Sequence, residues 1–400
     1  MIFGNTSKFY GAVTKFFHWL TAALILTLIP LGIIANRWAH QIKASEGAPD
    51  PELIQNTAFL FSLHKTLGVM VFFVALMRIL WAISQPKPRL LHGDRRVESW
   101  LAETVHYLLY ASLVAVPLAG WVHHAASTGF APIWWPFGQS LPFVPKSESL
   151  SHTAASLHII FERVLVISLA LHIAGALKHH FMDRDSTLLR MLPGTPAVPI
   201  VTPGHSKTIP IITAGIAYIA AMFVGAWLGM FQFSAAAQTA ALEAVETDWT
   251  VQSGTIAIDI TQFGSQVSGE FKDWTAAITF DPEVRNGPAG DVVVTIAIPS
   301  LTLGSVTDQA MGADFFDADT FPTATFTAQL NALDGAYVAA GILTIKGQSL
   351  PLDFDFDLQL DGDIATVMAT TDLNRLDYSV GASMPDESSL AFGVDVTINL

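Results

Sequence analysis

Two periodicities divide this chain. In its first part, apolar residues run on with few polar interruptions, and five windows reach the roughly 20 residues that a helix needs to cross a hydrocarbon core. They cover about 16–36, 57–83, 100–123, 154–177 and 209–232. From residue 245 the period becomes two. TIAIDI, DVVVTIAIP, DFDFDLQL and VDVTINL alternate apolar with polar positions, so Phe354, Phe356, Leu358 and Leu360 share one face while Asp353, Asp355 and Asp357 take the other. Such segments, separated by Gly, Asp and Asn turns, predict half-buried strands of an antiparallel sheet. Their number in residues 245–400 predicts a barrel, a closure that also removes exposed edges. The final strand runs to Leu400, which places the last residues at that closure. The expected fold is an all-α membrane bundle of four helices plus a fifth transmembrane helix, followed by an all-β antiparallel barrel. The expected domains are 1–195, a loop–helix–linker segment 196–244, and 245–400.

Composition sharpens the division. The chain is 51% hydrophobic and only 14% charged, where soluble proteins carry about 25% charged residues. Residues 1–208 hold 16 Lys/Arg against 10 Asp/Glu, whereas residues 209–400 hold 4 against 24. All 13 histidines lie in the first part. The absence of cysteine excludes disulfides, thiolate metal sites, iron–sulfur clusters and covalently attached haem, so a metal here is held by histidine or carboxylate.

Loop charge predicts orientation. With the N-terminus inside, the inner segments carry Lys8, Lys15, Lys87, Arg89, Arg95, Arg96, Arg184, Arg190 and Lys207, and the outer loops only Arg37, Lys43 and Lys146. The N-terminus is thus expected in the cytoplasm, and five crossings place the β domain outside. Trp134 and Trp135 suit a membrane–water interface. FSAAAQTA after the fifth window reads either as a flexible linker or as a cleavage site.

Four histidines, His18, His64, His158 and His172, fall inside the apolar windows, where a polar residue marks a functional site by default. A histidine hydrogen-bonded between helices is the plainer alternative for any one of them. Their arrangement favours ligation. Fourteen residues separate His158 from His172, which returns them to within about 40° of one helix face and about 21 Å apart along the axis. His64 sits at the depth of His158, and His18 at the depth of His172. Each level therefore has one imidazole on each of two helices, as two stacked bis-histidine haems require. Gly68, near His64, and Gly175, near His172, offer room for a flat macrocycle, or simply close helix approach. Arg78 either neutralises a haem propionate or snorkels to headgroups. Glu162 and Arg163 lie between the two levels; an ion pair, a haem-edge contact and a proton path all remain open for them.

HKTLGVMVFFVALMRILW and ALHIAGALKHHFMDRDSTLLRMLPG resemble the bacterial cytochrome b561 family over residues 8–194. The resemblance implies two non-covalent b haems, ligated by His18 with His172 and by His64 with His158, in a bacterial inner membrane. It also implies a quinone substrate at the cytoplasmic end of the fourth helix, at Lys178 and His179 and secondarily His180; positive-inside charge is the alternative reading of that trio. SGEFKDWTAAITFDPE, DFFDADTFPTATF and GILTIKGQSLPLDF resemble the YceI-like polyisoprenoid-binding family. That implies a lipocalin-like periplasmic barrel whose interior holds an isoprenoid or quinone tail; Phe315, Phe316 and Phe321 fall in the best-matching motif. The implied activity is electron transfer between a small periplasmic donor, superoxide for some members of the family, and quinone. An electron-transfer subunit for a partner enzyme such as a hydrogenase, and an anchored isoprenoid carrier, are the alternatives. The expected surroundings are membrane lipid and an electron-donor protein, and no feature predicts a nucleic-acid partner.

Overall fold

The computed structural model describes residues 3–43, 50–89, 95–127, 131–194, 208–232 and 247–400, with Leu91, Gly129, Leu242 and Val245. FSAAAQTA lies outside the described residues. Each apolar window is a helix: α1 (Ala12–Lys43), α2 (Pro51–Ser84), α3 (Arg96–Ala126), α4 (Glu148–Lys178) and α5 (Thr208–Trp227). All five are long and apolar enough to cross a membrane. The first four outrun their windows at both ends, because helical backbone bonds continue into polar residues beyond the apolar stretch. α5 instead stops at Trp227, where the chain turns through Gly229 at φ +76°.

One apolar cluster sits halfway along the bundle: Ile25 of α1, Val71 and Ala75 of α2, Leu113 and Val116 of α3, and Leu165 of α4. Ile25, Val71 and Leu165 each follow a window histidine by seven residues, two helical turns. This layer therefore separates the two histidine levels. α5 is fastened to α3 by polar bonds, from Trp100 Nε1 to Thr213 Oγ1 (3.2 Å) and between Tyr218 and Ser112 (2.5 Å). Tyr218 also donates to the Leu108 carbonyl at 3.2 Å.

After α4, His179–Asp183 form one π-helical turn, and the LLRMLPG element folds back beneath the start of α1. Arg190, buried, donates to the carbonyls of Lys8 and Arg89, both at 3.0 Å. Lys15 donates to those of Leu192 and Gly194, and Trp19 to that of Met191. The element thus fixes the end of α1 that carries His18.

The β domain is a ten-stranded antiparallel sheet: β1 (Thr255–Gln262), β2 (Ser265–Phe271), β3 (Trp274–Phe280), β4 (Asn286–Ala297), β5 (Leu301–Thr302), β6 (Thr323–Leu333), β7 (Ala336–Ile345), β8 (Gln348–Asp361), β9 (Ile364–Asn374) and β10 (Leu390–Asn399). Neighbours run β3-β4-β6-β7-β8-β9-β10-β1-β2-β5. The last strand does join the first, but the ladder does not close. Pairing stops at β3 on one side and at the two-residue β5 on the other, so the sheet is a curled, open barrel. Tight hairpins set the register. In the β6–β7 turn, Asp334 and Gly335 both take positive φ, 49° and 91°, as the turn type that matches strand twist demands. Phe354, Phe356 and Leu358 do point inward and their Asp neighbours outward. Leu360, at the strand's end, is exposed.

The inner faces of nearly all strands surround an apolar cavity of about 140 Å³, lined among others by Ile256, Trp274, Val294, Phe326, Phe354 and Leu373. Phe316 lines it as well, whereas Phe321 packs against Gly347 of the β7–β8 turn.

On the outer face, register opposes three carboxylates. Asp259 of β1 faces Asp395 of β10, which faces Asp372 of β9. The hydrogen bond with Asp372, then Coulombic pressure from Asp372 and Asp259, raise the Asp395 pKa above its ordinary 3.8. A raised carboxyl pKa favours folding as pH falls and costs stability above that pKa. Asp395→Asn is therefore expected to stabilise this domain at neutral pH by about 0.2–1 kcal/mol, at the low end because solvent screens the site. That advantage over the unmodified chain should vanish below pH 3.8; paired urea titrations at several pH values measure it.

Candidate functional site

The structure brings the four window histidines together in two pairs. The His18 and His172 ring centres are 6.0 Å apart, and those of His64 and His158 are 6.5 Å apart. Two imidazoles on opposite sides of one metal, with bonds of about 2.0 Å, hold their nitrogens about 4 Å and their ring centres about 6 Å apart. Both separations match that requirement.

The His64–His158 level is fixed by backbone. His64 Nδ1 donates to the Leu28 carbonyl of α1 (3.2 Å), and His158 Nδ1 to the Val116 carbonyl of α3 (2.9 Å). With Nδ1 protonated, the neutral ring keeps its lone pair on Nε2, the usual arrangement of a ligating histidine. Glycine makes both contacts fit. A Cβ at Gly32 would lie 2.9 Å from His64 Cε1, and one at Gly120 would lie 2.9 Å from His158 Nδ1. Gly32 and Gly120 stand four residues after Leu28 and Val116, so each imidazole enters beside the turn whose carbonyl it uses. Both turns contain a helix-interior proline, Pro30 and Pro117. The sequence does not single out these glycines, in PLG and PLAG. Gly68 and Gly175, which it does single out, would meet nothing beyond their own helical turn within 4 Å of an added Cβ among the described residues.

The His18–His172 level is built differently. Arg78 Nη2 lies 3.3 Å from His18 Nδ1, with the guanidinium 5.3 Å from the Tyr110 ring centre. His106 of α3, also missed in the sequence, stands edge-on to His172 at 5.0 Å and bonds the Ala102 carbonyl. Arg78 thus stands beside the His18–His172 pair. Glu162 and Arg163 pair with each other at 3.3 Å.

Lys178 and His179 enter a charged network. Lys178 Nζ meets Glu98 (2.9 Å) and Asp183 (2.8 Å), and His179 Nδ1 meets Asp185 (2.6 Å) and Asp183 (3.0 Å). Arg95 joins Glu98 and Asp183, each at 3.3 Å. Glu98, His179 and Asp183 are close enough to share an ion, but Lys178 and Arg95 already stand among these carboxylates. His180 packs on Phe181 instead.

The fold and the paired imidazoles define a helical membrane domain of the ligand-holding type joined to an open β-barrel. Residues 9–194 match the prokaryotic cytochrome b561 family and residues 243–400 match the YceI-like domain. Cytochrome b561 homolog 2 of Escherichia coli is 28% identical over 198 residues, covering 48% of this chain and 95% of its own length. A probable superoxide oxidase, CybB, of Yersinia pestis is 26% identical over 132 residues, covering 33% and 73%. Among solved structures, Burkholderia cenocepacia BcnA is 28% identical with TM-score 0.34, covering 36% of this chain and 94% of that one. A Campylobacter jejuni YceI protein is 21% identical with TM-score 0.31, covering 42% and 95%. The match to the prokaryotic cytochrome b561 family implies b-type haem binding and membrane electron transfer.

Proposed function

We propose that the helical domain holds two b haems, one between His18 and His172 and one between His64 and His158, and passes electrons across the membrane between a small periplasmic donor and quinone. The observation that carries this reading is the pair of facing imidazoles at two depths, each at the separation one iron needs. Haem, once bound, supplies the one-electron chemistry. The chain's own residues do the rest. The Leu28 and Val116 carbonyls hold His64 and His158 in the ligating tautomer, and Gly32 and Gly120 keep those rings in reach. Arg78 is the cation at hand for a propionate at the His18 level. The Ile25–Val71–Leu165 layer keeps water out between the levels. Lys178 and His179, with His180 beside them, form the quinone end; Asp183 and Asp185 hold the first two in place. The nine-to-three excess of Lys/Arg orients the N-terminus and this end toward the cytoplasm. The β domain, on the opposite side, takes an isoprenoid or quinone tail into its apolar cavity.

Superoxide is the donor to test first, because the Yersinia pestis relative carries that activity in its name. The β domain's excess of carboxylates repels an anion, so added salt should speed this step by screening. The deciding experiment is haem quantitation and visible spectroscopy of the purified full-length protein, before and after enzymatically generated superoxide and then added quinone. Two haems per chain, reduced and then reoxidised, are expected. One haem or none overturns the dihaem reading. Two haems that ignore superoxide but exchange electrons with quinol assign a different donor.

Gly120→Ala tests the ligand support. The added methyl pushes the His158 ring off the Val116 carbonyl. Loss of such an outer contact lowers metal affinity by about 10–100-fold. Haem at the His64–His158 level is expected to wash out in purification while the other level is retained, as difference spectra and haem-to-protein ratios will record.

A further inference from the structure

We infer that the chain pairs with a second copy of itself within the membrane, through the outward face of α4 centred on Arg163. The inference needs α4 to cross the membrane and does not depend on haem or quinone.

Ile159, Arg163, Ile167, Ala170 and Ala174 fall within about 40° of one line along α4, and each is exposed. The histidines lie on the other side of the helix. Arg163, 15 residues from the helix start at Glu148, sits deep in the crossing segment, between the levels of His158 and His172. Its side chain is 72% exposed, and that of Glu162 24%. The pair they form is a poor one. Adjacent helix positions do not face each other, and the contact joins one Nη to one carboxylate oxygen at 3.3 Å. Arg163 has five N–H donors, and lipid tails offer no acceptor. An ionisable residue at this depth normally faces protein or water. A surface of opposite charge therefore belongs against this face.

The charges are self-complementary. A two-fold axis along the membrane normal keeps every residue at its own depth, so Arg163 of one chain meets the partner's Glu162, and the reverse contact forms by symmetry. Two cations and two anions then neutralise each other. The same line supplies the fit. Ala170 and Ala174, four apart, let two helix backbones approach closely, as small residues at this spacing do in membranes. A partner of different sequence would not need a cation and an anion side by side at one depth; a second copy does.

The chain has no cysteine, so Ala170→Cys introduces a single thiol on this line. Disulfide formation requires Cα atoms about 4.4–6.8 Å apart, which only close apposition of two α4 helices provides. Leu80→Cys, on an exposed position of α2, is the control. In oxidised membrane vesicles at high lipid-to-protein ratio, Ala170→Cys is expected to give at least about tenfold more disulfide-linked dimer than the control. Adding Arg163→Ala should abolish that dimer, and the exchange Glu162→Arg with Arg163→Glu should restore it. Because Arg163→Ala could lower the yield of folded protein, native mass spectrometry of the unmodified chain in lipid nanodiscs gives a second readout, with twice the chain mass expected. Cross-linking no greater than the control, a monomer mass in nanodiscs, or a cross-link to a different protein overturns the proposal. So does cross-linking that survives Arg163→Ala.

Discussion

His158→Ala is expected to halve the haem content, leaving the His18–His172 haem in place, and to lower electron transfer from the outer donor to quinone by about 100-fold or more. The size follows from what the ring does. Loss of an outer contact to a metal ligand already costs about 10–100-fold in affinity, and here the ligand itself goes, together with the bond it makes to the Val116 carbonyl at 2.9 Å. The remaining imidazole, His64, keeps its own carbonyl at Leu28 but faces no partner. The two levels are separated by two helical turns of apolar packing on either side of Leu165, so the second level cannot take over the first one's contact with the donor. His123→Ala is the matched control. It too removes a histidine from the outer end of the bundle, but His123 Nδ1 is already engaged with Ser151, at 3.0 Å to the carbonyl and 2.8 Å to Oγ, and its loss should leave haem content unchanged. Equal haem loss in both variants would mean that the outer end responds to any lost histidine rather than to lost ligation. The His158→Ala, His172→Ala double variant should purify without haem.

The pairing of the four histidines is legible in the sequence because helical rise is fixed. Fourteen residues on one helix and the direction of each crossing are enough to sort four histidines into two depths. Which glycine sits against which ring is not legible there. It depends on how α1 and α3 are rotated about their own axes, and apolar windows that face lipid on one side and packing on the other carry almost no amphipathic signal of rotation. Gly68 and Gly175 stand out because they neighbour the histidines in sequence; Gly32 and Gly120 are neighbours through space, across helix pairs. His106 escapes for the same reason, since its place beside His172 is set by helix rotation.

In the β domain, alternation placed the inward faces but not the ends of the ladder. A strand as short as β5 leaves no period to detect, and the open seam between β3 and β5 is a matter of register. Phe315, Phe316 and Phe321 show the limit of motif reading: they are six residues apart at most, yet Phe316 lines the main cavity while Phe321 covers a hairpin turn. Arg375 is hidden altogether. In TTDLNRLDYSV it reads as one more solvated charge, and only the return of residues 376–391 over it makes it part of the interior.

That burial makes Arg375→Met the largest expected stability change in the β domain. Arg375 is only 4% exposed, and it donates from every nitrogen: Nε to Ala391 (2.9 Å), Nη1 to Val380 (3.0 Å) and Gly381 (2.7 Å), Nη2 to Leu390 (2.9 Å) and Met384, all backbone carbonyls. One planar fork thus gathers the loop between β9 and β10 and closes one end of the apolar cavity, which it lines. The same loop is tied from outside by Asp314, whose carbonyl accepts from Gly381 (2.8 Å) and Lys346 (3.0 Å) and whose carboxylate accepts from Ser383. Methionine preserves the packed stem but leaves a cluster of buried carbonyls without donors, at about 3–5 kcal/mol in all. With a urea slope of about 2 kcal/mol/M, the unfolding midpoint should fall by about 2 M, as read by protease resistance of the β domain in the full-length protein. Arg375→Lys separates charge from shape. A lysine ammonium has three donors on a flexible stem and cannot span five carbonyls in one plane, so it should recover only a small part of the loss. Full recovery by lysine would mean that positive charge under the loop, rather than the planar fork, holds this end of the barrel shut.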